Sequence, residues 1–301
     1  MTAAGLITLI GSKLLALVPL RIIAAVSAPL AWLGWTFAKS RRRITLINLR
    51  LCFPEKTNAE REAIAREHFR AYMQAALEHG FLWNASGERI RRYVTLHDEH
   101  EWKRFRDVDT AKGETARPVI WLCPHFIGLD AAAIRISVDT SGCSLYSEQS
   151  NADIDAMMLA GRTRFSESKI IARTEGVKPI LRAMKAGLPF YYLPDMDFGA
   201  RDSVFVPFFG VNAATITGVS RLAKLMGAAV VPVIATQRKA GAGYDVRFYP
   251  AWENFPSGDD VDDARRVNTF IESRVRENIA QYLWTHRRFK TRPDGEASLY
   301  Q

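Results

Sequence analysis

The chain has 301 residues, 48% of them apolar, and carries 41 Lys and Arg against 32 Asp and Glu, a formal charge of +9. This length and apolar content exclude a disordered protein and suffice for one large domain or two small ones. The basic balance points to acidic partners, namely nucleic acid, anionic lipid, a phosphorylated substrate or an acidic carrier protein. Cys52, Cys123 and Cys143 have no CxxC or Cys/His zinc spacing and read as reduced thiols of a cytosolic domain.

Residues 6–38 are largely apolar, interrupted by Lys13 and Arg21. The uncharged stretch from Arg21 to Lys39 covers roughly 25 Å as a helix, slightly short of a hydrocarbon core. Trp32 and Trp35 suit a membrane interface, and Arg41, Arg42 and Arg43 follow directly, which keeps the downstream chain on the cytoplasmic face. A cleaved signal peptide fits worse, because the basic cluster follows the apolar region. Residues 1–40 are therefore expected to be a membrane anchor, either a tilted span or an in-plane amphipathic helix. The alternative is a buried hairpin of two core helices broken near Pro19 or Pro29. Residues 41–301 form the globular domain.

In that domain Thr57 and Glu60 make a T-x-x-E capping box, predicting a long helix over 58–83 with Ile64, His68, Tyr72, Ala75 and Ala76 on one face. A second helix is expected in "GERIRRYVTLHD". Six candidate strands follow, at 118–123, 143–148, 168–173, 189–194, 229–236 and 244–250. Helical patterns such as "VKPILRAMKAG" and "TGVSRLAKLMG" separate most of them, each ending at glycine. Apolar strands alternating with helices indicate an α/β fold, a central mainly parallel sheet flanked by helices.

The stretch "WLCPHFIGLD" puts His125 just past a strand, where open α/β sheets bind ligands. Gly128 permits a turn through which Asp130 folds back to accept a hydrogen bond from the ring, freeing the other nitrogen as a base. The competing reading is a satisfied structural histidine. Arg162 and Arg164 in "GRTRFSESKIIAR" precede a strand and suit a phosphate or a developing oxyanion, or else a solvated helix end. Asp195 and Asp197 follow the strand at 189–194 without further metal-ligand spacing, so no metal is expected. They are read as holding an arginine, a substrate hydroxyl or the loop itself. "QYLWTHRRFKTRP" mixes Tyr282, Trp284 and Phe289 with Arg287, Arg288, Lys290 and Arg292, and is read as a packed terminal helix followed by a basic tail.

In order and spacing, "NLRLCFPE", "HFIGLD", "GRTRF", "PDMDFG", "VFVPFFG", "GAAVVPV" and "YLWTHRRFKTRP" resemble the bacterial lipid A late acyltransferases, within the glycerol-phosphate acyltransferase-like superfamily. The resemblance covers nearly the whole chain. It implies an H-x4-D/E catalytic signature on His125 and Asp130, an arginine element on Arg162 with Arg164 close by, and an acidic element on Asp195 and Asp197. The family more often has Glu at position 130, Gln at 196 and Gly at 166. The implied reaction moves a fatty acyl group from an acyl carrier protein thioester to a hydroxyl of a lipid A precursor, without a cofactor, at the inner membrane. The motif equally fits an ornithine lipid or lysophospholipid acceptor. A membrane-attached nucleic-acid-binding protein is disfavoured, since the basic residues are dispersed and no nucleic-acid module is present.

Overall fold

The computed structural model describes residues 2–109, 111 and 115–301, with the side chains at 3 and 4 left aside. Two apolar helices, α1 (Ala3–Leu17) and α2 (Leu20–Phe37), break at Pro19. Proline has no N–H to continue α1 and its fixed φ suits a new start. Pro29 is absorbed inside α2. A third helix, α3 (Lys39–Cys52), leads to α4 (Asn58–Asn84), which carries the expected Thr57/Glu60 capping box. At 27 residues α4 is about 40 Å long.

The segment "GERIRRYVTLHD" divides into α5 (Gly87–Tyr93) and the strand β1 (Val94–His97) rather than forming one helix. Four alternating residues are too few to show a period of two beside a helix. After α6 (His100–Lys103) the chain alternates: β2 (Val119–Leu122), α7 (Leu129–Ser137), β3 (Cys143–Tyr146), α8 (Ala152–Thr163), β4 (Lys169–Ala172), α9 (Lys178–Lys185) and β5 (Phe190–Tyr192). A hairpin of β6 (Ser203–Phe208) and β7 (Val211–Ile216) follows, then α10 (Gly218–Met226), β8 (Ala229–Gln237), β9 (Tyr244–Phe248) and α11 (Asp260–Glu277). Phe209 and Gly210 of "VFVPFFG" form the turn of this hairpin.

The main sheet runs β1-β9-β8-β2-β5-β3-β4 and is parallel throughout except at β8–β9. Side chains alternate along β2. Ile120 and Leu122 face an apolar layer with α9, α10 and α11, while Val119 and Trp121 face one with α2, α5 and α7. Burial on both faces is why β2 and β8 read as unbroken apolar runs. Helix α4 joins the two layers, giving Phe69 to the first and Phe81 to the second.

The N-terminal pair lies along α4. Leu20, Ile23, Ala24, Ser27, Ala31 and Trp35 form the buried face of α2, at helical spacing. Opposite them Ile22, Val26, Trp32, Leu33 and Phe37 are exposed, as are Leu6, Ile7, Ile10, Leu14 and Leu17 of α1. The hairpin reading is therefore correct about the break at Pro19, and one face of α2 belongs to the core. The outer face is nevertheless apolar, with Trp32 62% and Phe37 76% exposed.

The C-terminal segment "QYLWTHRRFKTRP" is packed but not helical, contrary to expectation. Trp284 and Phe289 are fully buried, and Arg288 is only 2% exposed. Its guanidinium donates to the Ala214 carbonyl at 2.8 Å and Thr215 Oγ1 at 3.0 Å and covers the Phe208 ring. Arg288 is thus part of the core that joins the hairpin to this segment, not of a basic tail.

Candidate active site

Strands β2 and β5 are parallel neighbours with Leu122 opposite Tyr192. His125 and Asp195 each lie three residues beyond, so the two chains leave the sheet side by side with these side chains adjacent. Asp195 accepts from the backbone N–H of His125 at 2.9 Å and meets the ring Nδ1 at 2.7 Å. Asp195 is 2% exposed. Burial pushes its pKa up, but the charge and hydrogen bonds of His125 outweigh this and hold it below the ordinary carboxylate range. An ionised carboxylate only accepts, so Nδ1 donates to it and Nε2 is the ring nitrogen turned away from Asp195.

The loop between β2 and α7 is clamped from the C-terminal segment. Leu283 N–H donates to the His125 carbonyl at 2.9 Å, Ile127 N–H donates to the Gln281 carbonyl at 2.8 Å, and Phe126 bridges Tyr282. Gly128 is required by space, since a Cβ there would stand 2.9 Å from the carbonyl oxygen of Ala235.

Asp130 does not fold back onto His125. Lying in the first turn of α7, it accepts from Arg162 Nε at 3.0 Å and Nη2 at 2.5 Å, and from His79 Nε2 at 3.0 Å. The expected His125–Asp130 hydrogen bond is thus replaced by two separate histidine–aspartate contacts. The reason is direction: a residue entering a helix points along that helix's flank, here toward α8 and α4. Burial raises the Asp130 pKa, but Arg162 and then His79 hold it well below the carboxylate range. For His79 burial disfavours the charge, yet the hydrogen bond and charge of Asp130 raise its pKa above the ordinary value. The His79 ring also stands edge-on to Trp83, centroids 4.9 Å apart. His79 has no acid at H-x4-D spacing, and its helical register beside the apolar face of α4 was the only sequence signal of its place.

Two cavities meet at Asp130. The outer one, a groove of about 630 Å³, is lined by His79, His125, Trp83, Met158 and the small residues Gly11 and Ser12 of α1. The inner one, about 80 Å³, lies beyond the Asp130–Arg162 pair among Trp121, Ile136, Cys143 and Leu145. Asp130 lines both.

The remaining expected site residues hold the framework. Arg164 donates to the carbonyls of Leu82 and Ala85 at 3.0 and 2.5 Å and lies 3.8 Å over the Phe165 ring, so it ties the end of α4 to the end of α8. Asp197 accepts from Thr291 N–H and Oγ1, both at 2.7 Å, and binds the loop, one of the roles foreseen for it. Asp195 meets the base candidate itself, and the Tyr282 hydroxyl and the Arg288 charge also act on it. His286 accepts from the Asp197 N–H at 3.1 Å, and burial lowers its pKa to about 4, so it is a neutral acceptor.

The family described as bacterial lipid A biosynthesis acyltransferase matches residues 2–291 of the chain. The lipid A biosynthesis lauroyltransferase of Escherichia coli K12 is 34% identical over 284 residues, 94% of this chain and 90% of that protein. The palmitoleoyltransferase of the same organism is 31% identical over 94% of this chain and 89% of its own. Its myristoyltransferase is 32% identical over 95% of this chain and 87% of its own.

Proposed function

The chain belongs to the bacterial lipid A biosynthesis acyltransferase family, and from that premise we propose that it moves a fatty acyl group from an acyl carrier protein thioester to a hydroxyl of a lipid A precursor. The observation that carries the reading is His125, its Nδ1 fixed by buried Asp195 and its ring lining a groove with apolar walls.

In this mechanism Nε2 removes the proton of the acceptor hydroxyl as its oxygen bonds to the thioester carbonyl carbon. The carbonyl π electrons move onto oxygen. When they return, the C–S bond breaks, and the leaving thiolate takes the proton from the imidazolium. Asp195 keeps the tautomer and steadies that imidazolium. Arg162, held by Asp130, supplies positive charge for the transient oxyanion. No cofactor takes part, and the acyl carrier protein thioester is a co-substrate.

The exposed apolar faces of α1 and α2 support attachment to the inner membrane from the cytoplasmic side. The packing of the inner face of α2 on α4 supports the in-plane form of this anchor over a span. Arg41, Arg42 and Arg43 at the start of α3 then reach anionic headgroups, and the same net charge favours an acidic carrier protein.

The test incubates purified protein with acyl carrier protein thioesters of several chain lengths and with a tetra-acyl lipid A precursor, a lysophospholipid and a lyso-ornithine lipid, read by mass spectrometry beside His125→Ala. One acyl mass added to the lipid A precursor and lost in the variant is the expected outcome. Transfer only to another acceptor moves the substrate, and no transfer at all rejects the reading.

A further inference from the structure

The groove holds a second histidine to which the reaction above gives no task. His79 comes from the middle of α4 and reaches Asp130 through Nε2 at 3.0 Å. Asp130, held by Arg162, is ionised and only accepts, so His79 Nε2 brings the proton. The hydrogen bond and charge of Asp130 raise the affinity of the ring for a second proton. With the ring protonated, Asp130 stands between two cations, Arg162 and His79, and the three together carry one net positive charge.

The groups around the ring agree with this state. Asp130 on α7 and Arg162 on α8 face it directly, and Glu78 beside it on α4 adds negative charge. Glu78 is buried and engaged by Tyr244 of β9, Gln237 of β8 and Gln74. The face of α1 that lines the groove brings Thr8, Gly11, Ser12 and Leu15, none of them ionisable.

We propose that His79 is a positioning residue for acyl transfer, which as an imidazolium pins Asp130 against Arg162 and leaves the cluster cationic beside the reacting carbonyl. Without the His79 proton, Asp130 and Arg162 cancel one another, and Asp130 is free to turn toward His125. With it, Arg162 stays in place and the wall of the groove has net charge of the sign that an oxyanion needs. The proposal rests on the acyl-transfer reading, and its first test does not require turnover.

In protein carrying ¹⁵N-labelled histidine, the two His79 nitrogens are expected to show protonated shifts at pH 7, and Asp130→Asn is expected to return the ring to the neutral form. A neutral His79 at pH 7 in the parent protein overturns the proposal, whatever the substrate proves to be. The second test compares His79→Phe with His79→Gln, whose amide Nε2 retains one donor toward Asp130. His79→Phe should lose about 10-fold to 10²-fold in kcat, the scale of a misplaced reacting group, with KM for the thioester nearly unchanged, and His79→Gln should recover part of that loss. The parent should lose rate as pH rises through the His79 titration, and neither variant should show that limb. Equal kcat and equal pH profiles in parent and His79→Phe, in an assay where the parent transfers acyl groups, sink the proposal and leave the reaction standing. An inactive parent beside a protonated His79 instead counts against the reaction.

Discussion

His125 and His79 each lean on an aspartate, at 2.7 and 3.0 Å, yet the two contacts are built for opposite ends. Asp195 is almost wholly buried and meets both the ring and the backbone N–H of His125, while the Tyr282 hydroxyl and the Arg288 charge also act on it. A buried carboxylate that grips one histidine by ring and backbone suits a base that must accept a proton and return it. Asp130 is shared between a guanidinium and an imidazole, so its charge is already spent. Such a carboxylate serves as an anchor for cations. The comparison teaches that two histidines at similar distance from an acid differ in chemistry through the remaining partners of that acid.

The largest effect should come from His125→Ala. Losing the base should lower kcat by about 10² to 10⁴ while thioester binding, measured by titration, persists. Next should come Asp195→Asn, which leaves the ring without its anionic partner and should cost on the order of 10² or more in kcat. Asp130→Asn should cost less, roughly 10-fold to 10²-fold, because its effect passes through Arg162. The comparison breaks if Asp130→Asn proves the more damaging of the two and also moves the His125 resonance while Asp195→Asn does not. That result would restore the dyad suggested by spacing alone.

Two arginines sharpen it further. Arg162→Met should lower kcat about as Asp130→Asn does, with the melting temperature kept. Arg164→Met should retain kcat but remove charged hydrogen bonds to the end of α4. About 2 kcal/mol corresponds to roughly 4–8 °C in melting temperature, readable by calorimetry.

No effect on kcat is expected at the histidines without an acid, whose contribution is to stability. His68 is fully buried with Nδ1 on the Ala280 carbonyl at 2.9 Å, and burial lowers its pKa to about 4, as it does for His286. The unfolded chain binds these protons near pH 6.5 and the folded one does not until about pH 4. Stability from both is therefore complete above pH 6.5 and falls as pH drops toward 4, by on the order of 3 kcal/mol for His68. Replacing His68 by Gln should flatten urea-denaturation midpoints across that range, while the opposite sign would mean a charged His68.

Much of the fold was legible. The T-x-x-E box started α4 where expected, and six apolar runs became six strands of the main sheet. β1 was hidden in the tail of a helical pattern, and it pairs in parallel with β9 from the far end of the domain. The β6–β7 hairpin was hidden because "VFVPFFG" presents apolar residues on both faces and so shows no alternation. "THRRFK" was misread because composition reports charge without direction. Arg288 faces inward where Thr215 and the Ala214 carbonyl await it, and no local pattern encodes that.

By itself the sequence determined the class of protein and the candidate side chains. Apolar runs alternating with helices are an α/β sheet because each element must bury one face, and a histidine just past a strand lies at the sheet's ligand-binding edge. Tertiary structure alone decided the partnerships. His125 meets Asp195 because parallel register brings Leu122 opposite Tyr192 across 70 residues of chain, while Asp130, only five positions away, is carried off by the direction of α7 to Arg162 and His79. Proximity along the chain sets which residues are near in number, but hydrogen-bond partners are chosen by where strands and helices point their side chains.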